Sequence, residues 1–491
     1  MRGRSAVCGV ALLVVAVAPP AAAGPTPTPG PATVTTATEL SPIFAAQGAE
    51  PTSTGLAARL AKLLTNSALG PHVGLEIVDA GTGTPLFSQG GDEGFTPAST
   101  TKLMTAAATL ATLGPEARLH TRVVLEPSAP EPTPTPATVA PTPSAPPERT
   151  IVLVGGGDPL LTSVATGSDD LYPYPPRAHL DDLGIQTVQA LHNAGIDRVR
   201  LRYDTSLFSG PAAAPEWAKS YTHDVVGSVV SLAVDAGRAD PLQEGRVADP
   251  AARSAALFVN ELTASGITVL DKPAPATATP GAPTIGDVAS APLSAMLEEM
   301  LENSDNDVAE AMARQVAIHD GRPGTFTDGA AAVRTEVSKL GVDLTGVTTY
   351  DGSGLSRQDR IPPRVLAQVI ATAAGGPACE SLPSGPCPAA PPGVAPNPAL
   401  RVLVAGLAAA GVNGTLGPHF VDSQSRAARG ILRAKSGSLQ GVVSLAGILP
   451  DADGRLLTFD AVADQVAPGF GLAARVAIER IAAALLTCGC R

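Results

Sequence analysis

The strongest constraint on the fold of this chain is that its strand-forming segments lie at its two ends. Near the N-terminus, "HVGLEIVDAGTGTPLFSQG" (72–90) reads as a hairpin turning at Gly81-Thr82-Gly83. Near the C-terminus, "GSLQGVVSLAGILPDADGRLLTFDAVAD" (437–464) reads as two more strands around an Asp-Ala-Asp-Gly turn. Each end also offers a helix. "TSTGLAARLAKLLTNSALG" carries leucines at 56, 60, 63 and 64, and "GFGLAARVAIERIAAALLTC" has an amphipathic pattern that includes Arg475, Glu479 and Arg480. The economical arrangement is one antiparallel sheet built from both ends, with the terminal helices on one face, an α/β (α+β) architecture.

The segment between them is interrupted by two Pro-rich stretches. "EPSAPEPTPTPATVAPTPSAPPER" (126–149) cannot pack as a helix or a central strand and is expected as a surface excursion. After it, "TIVLVGGGDPLL", "VRLRYDTSLF" and several short strand-like pieces suggest a mainly β segment, closed by "KPAPATATPGAPT". Residues 118–283 are therefore expected to form a domain inserted into a first domain made of 52–117 and 284–491.

The opening "MRGRSAVCGVALLVVAVAPPAAAG" has two arginines, an apolar run and an Ala21-Ala22-Ala23 ending, the pattern of a removable secretory signal over residues 1–23. The apolar run is shorter than the roughly 20 residues that span a bilayer. Residues 24–51 begin "GPTPTPGPATVTTATEL", a flexible lead. The mature chain is expected outside the cytoplasm, with no transmembrane anchor. Its formal charge of −12 becomes −14 when Arg2 and Arg4 leave, which argues against nucleic acid as a partner. Cys379, Cys387, Cys488 and Cys490 remain, an even number that favours disulfides in an oxidising compartment without fixing their connectivity. No histidine lies close to Cys-Gly-Cys, and no metal or cofactor is expected.

In "TPASTTKLMTAAATL", Pro97 suits a first helical turn, and Leu103, Ala107 and Leu110 follow one face. Ser99 and Lys102 then project from neighbouring positions. In that geometry a neutral amine can take the proton of a hydroxyl nucleophile, while N-terminal backbone N–H groups stabilise an oxyanion. Taken alone, the pair reads more readily as an ordinary helix start with a solvated lysine.

Two further motifs change that balance. Ser304-Asp305-Asn306 lies between two helical stretches, where its bland role would be a helix cap. Lys435-Ser436-Gly437 opens a strand. S-x-x-K, S-D-N and a K-T-G-like triplet in this order resemble the penicillin-recognising serine enzymes, with Ser436 where threonine is usual. The interval from Ser99 to Ser304 and the segments "GGGDPLL", "YDTSLFSGP" and "YDGSGLSRQDRIPP" resemble the class C low-molecular-mass penicillin-binding proteins, the D-alanyl-D-alanine carboxypeptidase/endopeptidase family. That resemblance implies a serine β-lactamase/DD-peptidase-like fold. It also implies stem peptides ending in D-Ala-D-Ala as substrates and β-lactams as covalent inhibitors.

The roles expected from this chemistry and likeness start with Ser99 as nucleophile and Lys102 as its base. Ser304 and Lys435 would serve the leaving amine, and Asn306 the substrate's amide backbone. Ser436, Gly437 and Ser438 line the carboxylate end, with the backbone N–H groups of Ser99 and Ser438 as the oxyanion hole. The resemblance also places Arg357 beside the pocket for the stem peptide's diamino acid. Asp224 could reach that residue's ammonium, or be a solvated loop carboxylate. A Ser-His-Asp hydrolase is disfavoured because no G-x-S-x-G occurs. The rival readings are a β-lactamase, for which no water-activating base is identifiable, and a non-catalytic wall-binding protein, which would have no need of Ser99 and Lys102.

Overall fold

The computed structural model describes residues 48–128, 148–168, 174–243, 245–375 and 397–491. The expected signal peptide, most of the flexible lead, most of the 126–149 excursion, Cys379 and Cys387 lie outside them. Cys488 is joined to Cys490.

Both chain ends meet in one sheet. Its six strands run in the order Pro85–Gln89, Val73–Asp79, Leu456–Ala463, Val442–Pro450, Arg433–Leu439 and Ala408–Ala409, and every neighbouring pair is antiparallel. The turns that join Val73–Asp79 to Pro85–Gln89 and Val442–Pro450 to Leu456–Ala463 are set by aspartates. The Asp79 carboxylate accepts from the backbone N–H of Gly81 (2.9 Å) and Thr82 (2.7 Å), and Asp451 accepts from Asp453 (2.9 Å) and Arg455 (2.8 Å).

Strand alternation decides what each face meets. Leu75, Ile77, Phe459 and Ala461 pack against Leu56, Leu60 and Leu64 of helix Ser53–Leu64 and Ala474, Ile478 and Ile481 of helix Gly471–Leu486. Thr52 caps the first helix by accepting from Gly55 N–H at 3.1 Å, and its own N–H donates to the Cys490 carbonyl at 2.7 Å, tying the two ends together. The opposite face carries a second core, in which Leu103, Met104 and Leu110 of helix Lys102–Thr112 meet residues of helices Leu293–Glu302, Asn306–His319, Phe326–Lys339 and Pro363–Ala374.

On that opposite face two carboxyl groups stand side by side, Glu76 and Asp460, paired across neighbouring strands and both buried. One oxygen of each has no hydrogen-bond partner. Burial, then the charge of Glu76, raises the Asp460 pKa well above the usual carboxylate range. The unfolded chain therefore gives up this proton at a lower pH than the folded protein. Stability is lost as pH rises from about 4, the unfolded value, through the folded one. Asp460→Asn is expected to raise the melting temperature by a few degrees at pH 8 and by much less at pH 4, as read by scanning calorimetry. An equal fall at both pH values would show that the carboxyl pair stabilises the sheet instead.

Between Ser99 and Ser304 the chain builds a second, mixed sheet of six strands. The main path is Thr268–Val269, Arg198–Asp204, Arg149–Val154, His120–Leu125 and Thr284–Ala289, and Ala274–Pro275 adds to Arg198–Asp204. Thr284–Ala289 pairs with His120–Leu125, which carries this sheet past residue 283. The segment also holds two long helices, Leu180–Asn193 and Pro250–Ala264, which the mainly β reading does not anticipate. Topology explains the first of them: Arg149–Val154 and Arg198–Asp204 are parallel, and parallel neighbours need a crossover of a dozen or more residues, usually a helix. Gly184 lowers helix propensity in its middle, yet a Cβ there would sit 2.8 Å from Glu261 Cβ, so the glycine lets the two helices touch. Leu183, Leu191, Phe258 and Leu262 join Val123, Ile151, Leu153 and Leu201 in a core separate from the other two.

Candidate active site

Ser99 stands in a one-turn 3₁₀ segment, Ala98–Thr101, and the α-helix begins only at Lys102. Residues i and i+3 eclipse in a 3₁₀ turn, which puts Lys102 directly over Ser99. The turn is held by Thr100 Oγ1 donating to the Pro97 carbonyl (2.8 Å) and Thr101 Oγ1 to the Ala98 carbonyl (3.0 Å). Ala98 lies at φ +52°, a conformation costly for a residue with a Cβ. Gly354, at φ +81°, backs it so closely that a Cβ would come 1.9 Å from the Ala98 carbonyl oxygen. The sharp bend before Ser99 thus depends on the "DGSG" loop, 351–354, lying under it.

Lys102 is fully buried, so the solvated-lysine reading does not hold. Its Nζ donates to Ser99 Oγ at 3.1 Å, Asn306 Oδ1 at 2.7 Å and the Ser353 carbonyl at 2.8 Å, which uses all three ammonium donors. Burial lowers its pKa to about 8, and Glu310, Asp351 and Asp305 oppose a further fall. About a tenth of the amine is then neutral at pH 7. Lys435 is also fully buried. Burial, then the charge of Lys102, holds its pKa well below the ordinary lysine value, and its Nζ donates to the Ser436 carbonyl at 2.9 Å.

The cap of helix Asn306–His319 is Asp305, which accepts from Val308 N–H at 2.9 Å. Ser304 is therefore not the cap, and it sits half-buried at φ +62°. Asn306 links two parts of the chain: its Oδ1 accepts a hydrogen bond from Lys102 Nζ while its Nδ2 donates to the Val225 carbonyl at 2.9 Å.

Gly437 explains how the strand Arg433–Leu439 reaches the serine. A Cβ there would lie 2.3 Å from Ser444 Oγ, 2.8 Å from the Pro97 carbonyl oxygen and 3.0 Å from Ser99 N, so only glycine lets the strand lie against the Ser99 turn. Ala408–Ala409 pairs only with Arg433 and Ala434, and among the described strands none covers the outer edge from Lys435 to Leu439. Ser436 Oγ donates to Thr415 Oγ1 at 3.1 Å, and Ser438 is exposed. Arg357 is exposed and reaches the end of this strand, its Nη2 donating to the Gln440 carbonyl at 2.6 Å. Asp224 is exposed at the end of the short helix Tyr221–Asp224, one residue before Val225, which meets Asn306.

Beneath these residues lies a layer that sequence reading missed. Glu310, one turn after Asn306, accepts from the N–H groups of Gly352 (3.1 Å) and Ser353 (2.8 Å); burial, then Asp351, raises its pKa. Asp351 accepts from Gly354 N–H (2.7 Å), Ser356 N–H (2.6 Å) and the indole N–H of Trp217 (2.7 Å). Thr105 Oγ1 donates to the Gly352 carbonyl at 2.6 Å. The loop that carries the Ser353 carbonyl to Lys102 is thus held by Glu310, Asp351 and Thr105. The only sequence signal was the glycine-rich "YDGSGLSR" itself.

An antiparallel sheet flanked by helices, with a serine and a buried lysine facing a K-S-G strand, defines a serine acyl-transfer enzyme of the β-lactamase/DD-peptidase kind. The sequence matches the D-Ala-D-Ala carboxypeptidase 3 (S13) family over residues 56–244, 231–385 and 393–485, and the chain belongs to that family as a serine-type D-Ala-D-Ala carboxypeptidase. Carboxypeptidase DacB of Mycolicibacterium smegmatis is 36% identical over 449 residues, covering 90% of this chain and 85% of that protein. Carboxypeptidase Rv3627c of Mycobacterium tuberculosis is 33% identical over 446 residues, covering 90% and 86%. In fold, the chain is similar to the crystal structure of penicillin binding protein 4 from Haemophilus influenzae, with a TM-score of 0.65 over 87% of this chain and 97% of that one at 20% identity.

Proposed function

We propose that the exported protein removes the terminal D-Ala of peptidoglycan stem peptides, and opens cross-links of the same chemistry, through an acyl-enzyme on Ser99. The observation that carries this reading is the Lys102 ammonium group, buried and held 3.1 Å from Ser99 Oγ. With its pKa lowered to about 8, neutral Lys102 takes the Ser99 proton as Oγ attacks the carbonyl of the D-Ala-D-Ala bond. The backbone N–H groups of Ser99 and Ser438 receive the developing oxyanion. Ser304, assisted by Lys435, passes a proton to the departing D-Ala amine, and water then releases the shortened peptide. The uncovered edge of the Lys435–Leu439 strand suits an extended peptide lying antiparallel to it, with Asn306 on the amide backbone and the Ser436 and Ser438 hydroxyls on the terminal carboxylate. The leader "MRGRSAVCGVALLVVAVAPPAAAG" and the wall substrate support an extracytoplasmic location, and no helix among the described residues is long and apolar enough to cross a membrane.

Release of D-Ala from a stem pentapeptide by the wild-type protein, and none by Ser99→Ala, is the expected result; equal release by both would remove Ser99 from the chemistry. In the same assay Arg357→Ala is expected to lose about 1.5–3 kcal/mol of transition-state binding on peptides with a carboxylated diamino acid and almost nothing on a simple acyl-D-Ala-D-Ala. Its place at Gln440, beyond the K-S-G strand, supports this role. Equal losses on both substrates would make Arg357 structural. Asp224, exposed one residue before Val225, is the weaker candidate for the ammonium of the same diamino acid, a solvated loop carboxylate being its simpler reading.

A further inference from the structure

The amide of Asn306 has to face one way. Its carbonyl must accept from Lys102, and a flipped amide would present an NH₂ group to an ammonium. The orientation is fixed from outside the S-D-N motif by the Val225 carbonyl, which accepts from Nδ2 at 2.9 Å. Val225 belongs to the segment between Ser99 and Ser304, and its loop is fastened to the catalytic helix at the residue after Asn306. The two oxygens of Asp307 divide the task, Oδ1 accepting from Gly227 N–H at 2.7 Å and Oδ2 from Arg246 Nη2 at 2.7 Å. The Arg246 and Asp307 side chains are only 3% and 10% exposed. Arg246 also holds its own loop together: its N–H donates to the His223 carbonyl at 3.1 Å, and its Nη1 donates to the Ala236 carbonyl. Gly227 leaves room for this, since a Cβ there would come 2.8 Å from the Ala236 carbonyl oxygen and 3.0 Å from Asp307 Oδ1.

We infer that Arg246 and Asp307 are positioning residues for the acylation step: their ion pair seats the Val225 carbonyl against Asn306, and Asn306 in turn is one of the three acceptors that hold the Lys102 ammonium beside Ser99. An isolated buried charge is costly, and here the arginine and one backbone N–H compensate it. The arrangement makes the Tyr221–Val247 loop part of the catalytic machinery without any of its side chains touching the reacting atoms. The groups facing Lys102 are Ser99, Asn306, the Ser353 carbonyl, Glu310, Asp351, Asp305 and Lys435; those facing Asp307 are Arg246, Arg238 and Asp305. Arg246 and Asp307 are absent from the set around Lys102, and Asp305 is the one charged group common to both sets, so the hydrogen-bonded route between them is Val225 to Asn306.

The inference rests on the proposed roles of Ser99 and Lys102, and its test separates the two. The pH dependence of the penicillin acylation rate is measured for the full chain as wild type, Arg246→Gln, Asp307→Asn, the double variant and Arg246→Lys, with melting temperature and near-UV circular dichroism confirming the fold. A wild-type protein that is not acylated would sink the functional reading itself. With acylation present, the expected result for Arg246→Gln is a loss of about tenfold or more, with the acid limb of the profile moved to lower pH, because an ammonium deprived of its Asn306 acceptor loses its proton more readily. Arg246→Lys should restore part of the rate. The double variant should be no worse than the worse single variant, since both break one device. Folded single variants that acylate at the wild-type rate, or that lose rate equally at every pH, would overturn the inference. If the single variants do not fold, the double variant, which removes both charges, decides by the same two criteria.

Discussion

Lys102→Met is expected to slow acylation of Ser99 by about 10²- to 10⁴-fold, the range for loss of a positioned general base. Methionine keeps most of the stem volume in a site with no exposure and removes only the ammonium. The three acceptors at Ser99, Asn306 and Ser353 lose a shared donor, which costs stability, and the removal of a desolvated charge offsets part of that cost. The melting temperature should therefore fall by some degrees, with the protein still folded at assay temperature, while the rate collapses. Wild-type kcat/KM should rise with pH through a limb near 8, where Lys102 becomes neutral, and the variant should lack that limb. Stopped-flow acylation with a chromogenic β-lactam measures both. A variant that keeps the limb would transfer the proton work to Ser304 and Lys435.

Gly437→Ala is expected to cost about 10²- to 10³-fold in acylation, comparable to removal of an oxyanion-hole donor. The added methyl would meet the Pro97 carbonyl oxygen at 2.8 Å and Ser99 N at 3.0 Å, both backbone atoms with no rotamer to escape into. The strand must then move away from the serine turn, which separates the Ser438 N–H from the Ser99 N–H. The proposed contact of Asn306 with the substrate lies on a separate helix, so the loss should appear in kcat more than in KM. Unchanged kcat would mean that the strand does not form the hole.

The parts of this architecture legible in the sequence are those whose signals are short-range. The two hairpin segments and the terminal helices announce themselves by alternation and by leucine spacing, and they meet in one sheet as their unburied faces require. Ser99 and Lys102 are three residues apart, so local geometry alone aligns them. What could not be read is what surrounds them. The burial of Lys102 depends on Ser353 and Asn306, far away in the chain, and no periodic pattern links a carbonyl in a glycine-rich loop to a lysine on a helix. Glu310 and Asp351 look like surface acids until the fold supplies backbone N–H groups to satisfy them. Arg246 lies in an irregular loop with no motif, and its partner Asp307 is hidden beside one. The helix Leu180–Asn193 is obscured by Gly184, which is explained only by the helix it crosses.

The central claim, that Ser99 made nucleophilic by Lys102 forms an acyl-enzyme, is tested most directly by incubating the full-length mature protein with benzylpenicillin and locating the adduct by peptide mass spectrometry. The strained lactam stands in for the D-Ala-D-Ala amide, and its opened ring stays attached and obstructs water. The predicted result is one penicilloyl ester, on Ser99, stable enough for intact-mass detection and absent from Ser99→Ala. An adduct on another residue, or an adduct that also forms on Ser99→Ala, would contradict it.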